Sequence, residues 1–466
     1  MSKAAVHNTG SSRIRSQNDF EPGVRVLLTL LSVTLFGTVC NTVVNVPLRD
    51  ISTDLGVPLP TGVLAVTAFV LVLAAAMPVM GWIGDRFGHT RVLITAQLLL
   101  LAGMIGAALA PTMTMLALSR GVQGLGCAAA PPCVMAMLSA VYGPARRTRT
   151  MGAWAAANGI GQALGPPLGG LLSQPLGWRG VFWILVPVSA LLVAALIAFV
   201  PRALPHPSRL HWPGALSFTV GVALLMSAAA LGPDGDVPLW AVGVLASTGV
   251  ASLVLFAVVS RSRVVSRKNI AAFVPPALFV TPRFFRSGVA ACAQMFCLGA
   301  TLVAVPLHVT GALERSTAVA GLLAFALPAA MAALAPVVGR ASERVGPRIV
   351  LRTGLVTLAA APCALGAIMT RQVPLLWLTV LLVVIGTGIA LVQTPAAAGA
   401  ARTTQTGAGA ALGVFNTLRF GGATLGTAWA GSLYPRGESL VLFVGCGALA
   451  LLALLISFAG RDPEPV

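Results

Sequence analysis

Two long apolar runs are separated by the segment Gly81-Trp-Ile-Gly-Asp85-Arg-Phe-Gly88-His-Thr-Arg91, and this segment decides how the fold is interpreted. A related segment, Gly339-Arg-Ala-Ser-Glu343-Arg-Val-Gly346, occurs 258 residues later. Its glycines permit a tight turn and close packing of helices, while the acid and the arginines can form an ion-paired latch that holds one conformation. Because a repeat at a fixed offset marks repeated structural units, the sequence predicts two related halves with this loop after the second helix of each.

Around these two loops the chain is strongly apolar. Of its 466 residues, 57% are hydrophobic and only 9% are charged, and the mean hydropathy is +0.91. A soluble domain carries about 25% charged residues, so this much apolar surface requires lipid as its solvent. The composition predicts an all-α polytopic membrane protein embedded in the bilayer.

Windows of about 20 apolar residues predict fourteen membrane-spanning helices. They lie near residues 25–47, 60–81, 91–110, 113–140, 150–172, 180–200, 212–231, 238–259, 284–308, 317–338, 349–369, 374–398, 406–430 and 439–459. The predicted organisation is a cytoplasmic tail at 1–24, a six-helix bundle at 25–200, two inserted helices with cytoplasmic linkers at 201–283, a second six-helix bundle at 284–459 and a tail at 460–466.

The basic residues predict the orientation. With both termini inside, 23 of the 30 lysines and arginines lie in cytoplasmic segments and five lie outside, which satisfies the positive-inside rule. Their spread over short loops argues against nucleic-acid binding, despite a net charge of +18. The polar N-terminus has no signal-peptide core, so the first helix is expected to insert uncleaved. The ratio of 28 arginines to 2 lysines indicates a GC-rich bacterial genome, and the expected location is the inner membrane of a bacterium.

The fourth predicted helix contains Leu116-Ala-Leu-Ser-Arg120-Gly-Val-Gln123-Gly-Leu-Gly126, which places a charge within the membrane. Because an arginine there costs about 3 kcal/mol on insertion scales, Arg120 is expected to face a cavity or a partner rather than to reach the interface. Arg419 is the other arginine within a predicted span, and a structural role and a substrate-facing role remain open for it.

The fifth predicted helix contains Gly161-Gln-Ala-Leu-Gly165-Pro166-Pro-Leu-Gly169-Gly170. Glycines four residues apart form a flat face that lets another helix approach closely, and the prolines bend the helix. We interpret this segment as a packing hinge that seals the two bundles against each other.

Together these motifs resemble those of a known family. The loop at 81–91 resembles the signature of the major facilitator superfamily, and the segments at 116–126 and 161–170 resemble motifs of its drug:proton antiporters. With Trp178-Arg179-Gly180 and Asn416-Thr-Leu-Arg419, they are similar to the fourteen-helix branch of those antiporters. The resemblance implies two bundles that alternate access to a central site and a drug or antibiotic exported in exchange for protons.

One departure from that branch concerns coupling. Cys40 stands where the branch typically has an intramembrane aspartate, and the carboxylates lie in loops, in tails or at helix ends: Asp19, Glu21, Asp50, Asp54, Asp85, Asp234, Asp236, Glu314, Glu343, Glu438, Asp462 and Glu464. A proton-coupled carrier needs a group that titrates inside the membrane. Three routes stay open: coupling through Asp50 or His308, coupling through the region of Asp85 and Arg120, or uncoupled export.

The expected substrate is a small lipophilic compound. A cavity near two arginines and without a carboxylate disfavours cations, so neutral or anionic compounds are favoured. Side chains expected to line this cavity are Cys40, Asn41, Asn45, Asn158, Gln162 and Asn416. An uptake carrier for a metabolite and a membrane sensor are the competing functions. The sequence has no catalytic or ATP-binding motif, so an enzyme is the least favoured class.

Further partners are expected to be few. The seven cysteines, Cys40, Cys127, Cys133, Cys292, Cys297, Cys363 and Cys446, all lie in apolar runs and form no C-x-x-C pair, so they are interpreted as packing residues rather than metal ligands or disulfides. We predict no metal and no cofactor. The expected transport unit is a monomer in the lipid bilayer that binds its substrate and exchanges protons.

Overall fold

A computed structural model describes residues 23–201, 212–232, 237–260, 277–371, 374–402 and 408–460. Its helices are α1 Val24–Thr42, α2 Leu48–Asp54, α3 Leu59–Gly62, α4 Leu64–Phe87, α5 His89–Ala108, α6 Met113–Ala128, α7 Ala130–Phe199, α8 Trp212–Leu231, α9 Leu239–Ser260, α10 Ala277–Val280, α11 Pro282–Leu307, α12 Thr317–Val345, α13 Pro347–Met369, α14 Leu375–Arg402, α15 Ala408–Leu433 and α16 Ser439–Ile456. The all-helical class is confirmed. The sequence-predicted tails, the turn at 233–236 and most of the basic linker at 261–283 lie outside the described residues.

Helix α7 is a run of 70 residues that bends sharply twice. Gly143 (φ 67°, ψ −179°) and Gly177 (φ 68°, ψ 170°) leave the helical region, and they divide α7 into segments 130–142, 144–176 and 178–199. The first of these segments continues the direction of α6. The other two correspond to the fifth and sixth predicted helices.

The predicted number of membrane spans is not confirmed. Twelve stretches of the described residues are long and apolar enough to cross a membrane, and one of them, Arg146–Phe199, contains the break at Gly177 within its 54 residues. Helix α15 is 26 residues long, or about 39 Å at 1.5 Å per residue, but it is not among the twelve. The count of fourteen therefore stays a prediction.

The helices form two bundles with an inserted pair between them in the chain. Helices α1 and α4 to α7 pack on one another, as do α11 to α16. The bundles meet where α15 packs on α4 and α7, and where α12 and α14 pack on α7. The inserted helices α8 and α9 pack on each other, and α8 also contacts α4 and α15.

The helices end on two opposite sides of the bundles. We call the side on which α4 and α12 end, at Phe87 and Val345, the latch side, and the opposite side the mouth side. Helices α1, α8, α11 and α15 begin on the latch side. Helix α4 begins on the mouth side.

Reporter fusions test the predicted topology. We expect a fusion at Val466 to report the cytoplasm, and fusions at Gly235 and Arg371 to report the opposite compartment, because cytoplasmic loops hold most of the basic residues. Reporter activity on the same side at Val466 and Gly235 would contradict the fourteen-span topology. The fusion at Arg371 checks the second bundle independently of the inserted pair.

Candidate functional site

On the latch side, the carboxylate of Asp85 binds the beginning of α15. Its Oδ1 accepts a hydrogen bond from the peptide N–H of Gly409 (2.9 Å), and its Oδ2 accepts one from the N–H of Ala410 (3.1 Å). These are among the first N–H groups of α15, which have no partner inside the helix and carry its positive dipole end. Asp85 also lies 3.4 Å from Nε2 of His89. A residue of the first bundle thus caps a helix of the second.

The contact depends on two glycines. A Cβ atom on Gly81 would lie 2.0 Å from the carbonyl oxygen of Gly409, and one on Gly409 would lie 2.2 Å from the carbonyl oxygen of Gly81. Any side chain at either position would push α4 and α15 apart. Gly88 ends α4 with φ 94°, a conformation that other residues rarely adopt, and Gly346 ends α12 with φ 98°.

The second copy of the repeat makes a weaker contact of the same kind. Glu343 Oε1 accepts a hydrogen bond from the peptide N–H of Arg149 at 3.1 Å, an exposed contact between α12 and α7. A Cβ on Gly339 would meet the carbonyl oxygen of Thr148 at 3.3 Å, a looser approach than that of Gly81. Both copies therefore join the bundles on the latch side, and the first copy does so more tightly.

The arginines of the first loop lie at the surface of the latch. The guanidinium of Arg86 lies over the rings of Trp82 and Phe87, at 5.6 and 5.4 Å from their centroids. Arg91 is exposed at the beginning of α5. The structure therefore places Asp85 at the junction between the bundles.

Arg120 is fully buried and is held by oxygen atoms of neighbouring helices. Its Nε donates to the carbonyl of Ala65 (2.8 Å), and its Nη1 donates to the carbonyl of Cys40 (3.1 Å) and to Oε1 of Gln123 (2.7 Å). The guanidinium lies 4.3 Å from the ring centroid of Phe69. Arg120 thus joins α1, α4 and α6 within one bundle, and the structure does not bring it to Asp85.

Arg419 is also fully buried, at the contact between the bundles. Its Nη1 donates to Oδ1 of Asn416 at 2.7 Å, and its guanidinium lies 5.0 Å from the ring centroid of Trp154 on α7. The same helix is held to α4, because Thr417 Oγ1 donates to the carbonyl of Ala74 at 2.9 Å. This geometry favours the structural role that the sequence left open for Arg419.

The glycine face of the fifth predicted helix packs on α1, which corrects the prediction that it seals the two bundles. A Cβ on Gly161, Gly165 or Gly169 would lie 2.6, 1.8 or 2.0 Å from atoms of α1 or of the turn that follows it. Pro166 lies between them on the same segment, and Gly170 has a looser contact. The sequence pattern reveals a close helix contact but not its partner.

The contact between bundles on this segment comes from other glycines. A Cβ on Gly152 would lie 2.8 Å from the carbonyl oxygen of Ala335, and one on Gly159 would lie 2.8 Å from Cε of Met331. Both of these neighbours belong to α12. Gly152 and Gly159 lie outside the quoted motif, so the motif gave no signal for them.

A cavity of about 410 Å³ lies between the bundles, in the mouth-side halves of its helices. Hydroxyl and amide groups interrupt an otherwise apolar lining, and none of the described lining residues is charged at neutral pH. The polar residues of the lining are Thr34, Thr38, Asn41, Thr42, Asn45, Thr67, Asn158, Gln162, Ser227, Thr424 and Thr427. Within this set, Gln162 Nε2 donates to Oδ1 of Asn158 at 2.7 Å.

Four of the six predicted lining residues lie in this cavity, and two do not. Asn41, Asn45, Asn158 and Gln162 line it. The prediction is wrong for Cys40, which is buried in the helix packing beside Arg120, and for Asn416, which donates to the carbonyl of Leu412 and accepts from Arg419.

The charges expected around the cavity are elsewhere. Arg120 and Arg419 are absent from its lining: Arg120 contacts backbone oxygens, the amide of Gln123 and the ring of Phe69, and Arg419 contacts the amide of Asn416 and the ring of Trp154. Asp50 is exposed in α2, and His308 is buried at the mouth end of α11, where its ring lies 6.5 Å from that of Tyr434. Neither lines the cavity. The structure therefore places none of these four beside a bound substrate.

Sequence reasoning missed an ion pair on the mouth side. Asp54, at the end of α2, accepts hydrogen bonds from Arg179 and from Nε1 of Trp178, which lies 3.1 Å away. These bonds hold the pKa of Asp54 below its usual range. Both members of the ion pair are partly exposed, so it contributes little to stability.

The hydroxyl groups of the cavity could have been found in part. Thr34, Thr38 and Asn41 recur at helical spacing along α1, and Asn45 continues the spacing in the turn after it, which predicts one polar face. Ser227 had no such signal, because it lies on a helix predicted to be an insertion outside the bundles.

Comparison with known proteins places this architecture in a family. The sequence matches the family described as the Major Facilitator Superfamily over residues 27–284 and 287–466. The multidrug resistance protein Stp of Mycobacterium tuberculosis is 28% identical over 403 residues, which cover 86% of this chain and 74% of Stp. The drug efflux pump JefA of the same organism is 30% identical over 388 residues, which cover 80% of this chain and 74% of JefA.

Solved structures agree on the fold. The human organic anion transporter MFSD10 (TETRAN) has a TM-score of 0.70 at 18% identity, covering 94% of this chain and 100% of its own. The proton:xylose symporter XylE has a TM-score of 0.66 at 13% identity, and the match covers 93% of this chain and 94% of XylE. The predicted fold class is thereby confirmed.

Neighbouring glycines of the fifth helix allow a matched test of its contact with α1. Gly169→Ala would bring a Cβ to 2.0 Å from a backbone oxygen of Val43, whereas the corresponding contact at Gly170 is 3.4 Å, to a side-chain atom. Because overpacking costs about 1–3 kcal/mol, we expect Gly169→Ala to lower the melting temperature of the purified protein and to reduce transport. Gly170→Ala should leave the melting temperature close to that of the wild type. Equal effects of the two substitutions would contradict the close packing on α1.

Proposed function

The chain belongs to the Major Facilitator Superfamily, and on that premise we propose that this multi-pass membrane transporter exports small, uncharged lipophilic compounds from a bacterial cell. The observation that carries the proposal is the cavity between the bundles, whose described lining carries no charge. Its volume of about 410 Å³ falls within the range of about 300–1,000 Å³ that is usual for drug-sized ligands. The relatives named as drug efflux and multidrug resistance proteins support the direction of transport.

The chemistry of the lining supports an uncharged substrate. A charged group transferred from water into an apolar site needs a partner of opposite charge, and the described lining supplies none. Hydroxyl and amide side chains can instead exchange hydrogen bonds with ketone, hydroxyl or amide groups of a ligand. The sequence left neutral and anionic compounds open. The positions of Arg120 and Arg419 outside the lining favour the neutral class.

The proposed orientation places the latch side in the cytoplasm. The loops at 88 and 346 are basic, and basic loops face the cytoplasm. The cavity then lies in the outer half of the membrane, so this conformation has its cytoplasmic half closed by the contact of Asp85 with α15.

We place the response of transport to protons at the latch rather than in the cavity; because the latch faces the cytoplasm, Asp85 exchanges its proton with that side and adjusts the closed state. Asp85 and His89 are two titratable groups 3.4 Å apart, and Asp85 also holds the beginning of α15. A proton on Asp85 removes the negative charge that binds the helix N-terminus, which weakens the closed state. Protonation is thereby linked to opening toward the cytoplasm. Uncoupled export, and uptake of a metabolite, are the alternatives that the same experiments separate.

The charge of the cavity lining can be changed by one substitution. Asn41→Asp adds a carboxylate to the lining, and an opposite charge at about 4 Å contributes roughly 4 kcal/mol before desolvation at an effective dielectric of about 20. We therefore expect Asn41→Asp to gain efflux of a lipophilic cation, which the wild type exports poorly. The measurement is efflux of a lipophilic cation and of an uncharged antibiotic from loaded vesicles.

Cys40→Asp is the matched control, since residue 40 is adjacent in sequence but lies outside the lining and beside Arg120. Its carboxylate is expected to pair with Arg120 and to leave cation efflux low. Rapid cation efflux by the wild type would contradict the proposed substrate class.

The contact of Asp85 with α15 can be tested by removing the charge of its carboxylate. Asp85→Asn removes the charge that accepts two peptide N–H groups, and hydrogen bonds to charged groups contribute about 1.5–3 kcal/mol, so we expect efflux to fall about tenfold or more. Glu343→Gln removes a single exposed contact and should reduce efflux far less. Efflux is measured at equal protein levels, with and without an imposed proton gradient.

In the same vesicles, the wild type should respond to the gradient, and the remaining activity of Asp85→Asn should not. Gradient-independent efflux by the wild type would favour the uncoupled alternative. Accumulation against efflux would favour the uptake carrier.

A further inference from the structure

The two inserted helices differ in what surrounds them. Only 11% of the residues in the most apolar stretch of α9 are buried, as expected for a helix that faces lipid on most sides. In α8 the corresponding share is 44%, although the two helices have similar apolar composition. Helix α8 packs on α9, on α4 of the first bundle and on α15 of the second. A peripheral helix that only extends the bundle would not need to contact both halves.

The mouth-side half of α8 reaches the central cavity. Met226, Ser227 and Ala230 belong to its lining, together with residues of α4 and α15. Ser227 supplies a hydroxyl group, and Met226 supplies a flexible apolar side chain that is 6% exposed. Thus α8 contributes both kinds of group found elsewhere in the lining.

The latch-side half of α8 is anchored to the second bundle through a chain of rings. Phe218 of α8 meets Phe256 of α9 edge to face at 5.1 Å between centroids, Phe256 meets Phe279 of α10 at 6.5 Å, and Phe279 meets Phe284 of α11 at 6.4 Å. Such pairs contribute about 0.5–1.5 kcal/mol each beyond their buried area. They fix the insertion to the second bundle.

Small residues hold the inserted pair together. A Cβ on Gly221 would lie 3.0 Å from the carbonyl oxygen of Gly249, and Ser252 Oγ donates to the carbonyl of Ser217 at 2.8 Å. The close approach makes α8 and α9 one unit. The ring chain joins this unit to the second bundle, and the mouth-side half of α8 lies beside α4 and α15, which also line the cavity.

We propose that α8 is a wall of the substrate cavity, which it closes toward lipid between α4 and α15, and that Ser227 and Met226 contact the substrate and set its size limit. The contact with substrate rests on the proposed export function. The position of α8 as a wall of a water-accessible cavity does not. The inserted pair is therefore part of the binding site rather than an accessory to the bundles.

Thiol labelling tests the position of α8. Ser227→Cys and Ala229→Cys differ by two residues, so they lie at nearly the same depth but about 200° apart around the helix. Ala229 is half-buried and outside the cavity lining. We expect a membrane-impermeant maleimide, added from outside, to label Ser227→Cys several-fold faster than Ala229→Cys, with the wild type giving the background from the native cysteines. Equal rates would overturn the inference, whatever the efflux measurements show.

Efflux selectivity tests the contact with substrate. Ser227→Trp fills part of the cavity, so efflux of a bulky uncharged compound should fall about tenfold while a compact one is exported nearly normally. Leu216→Trp is the control, because Leu216 lies on the same helix and is 66% exposed. An unchanged size preference in Ser227→Trp would overturn the specificity role. If the wild type exports none of the compounds, the proposed function fails, and the labelling comparison still decides whether α8 lines the cavity.

Discussion

The hydrogen bonds from the first peptide groups of α15 to Asp85 are the interaction on which the rest of the arrangement depends. They join the two bundles at the latch side, and they are possible because Gly81 and Gly409 let the two backbones touch. A carboxylate at a helix N-terminus is stabilised by the helix dipole and by the free N–H groups of the first turn. With the latch side closed in this way, the cavity formed between the bundles by the described residues lies on the mouth side.

The buried arginines complement this constraint. In a medium without water, Arg120 and Arg419 depend on the protein for their partners, and carbonyl oxygens, amide oxygens and ring faces supply some of them. Among the described residues, Nη2 of Arg120 and both Nε and Nη2 of Arg419 are buried without a hydrogen-bond partner. Both charges are thereby directed into helix packing rather than into the cavity. The described lining keeps only hydroxyl, amide and apolar groups, which is the chemistry of a site for uncharged lipophilic ligands.

The sequence predicts which helices exist better than it predicts how they are rotated. The repeated loops and the glycine face are visible as spacing, which indicated close helix contacts, and the polar face of α1 is visible in the same way. The cavity was inferred instead from the family resemblance and from the intramembrane arginine. The partner of the glycine face, and the orientation of Cys40, depend on the rotation of each helix about its axis. In a helix that is apolar on every side, periodicity does not report that rotation. Helix α8 is close to such a case, since its polar side chains are limited to the small hydroxyl residues Ser217, Thr219 and Ser227.

A direct measurement of the latch is the distance between spin labels attached at Phe87→Cys and Val345→Cys, two exposed positions where α4 and α12 end. One label lies on each bundle, so their separation reports whether the latch side is closed. We predict one narrow distance for otherwise wild-type protein at neutral pH, and a second, longer population when Asp85→Asn is added. The same distance distribution in both proteins would show that Asp85 does not hold the bundles together, and it would contradict the closed latch on which the proposed transport cycle depends.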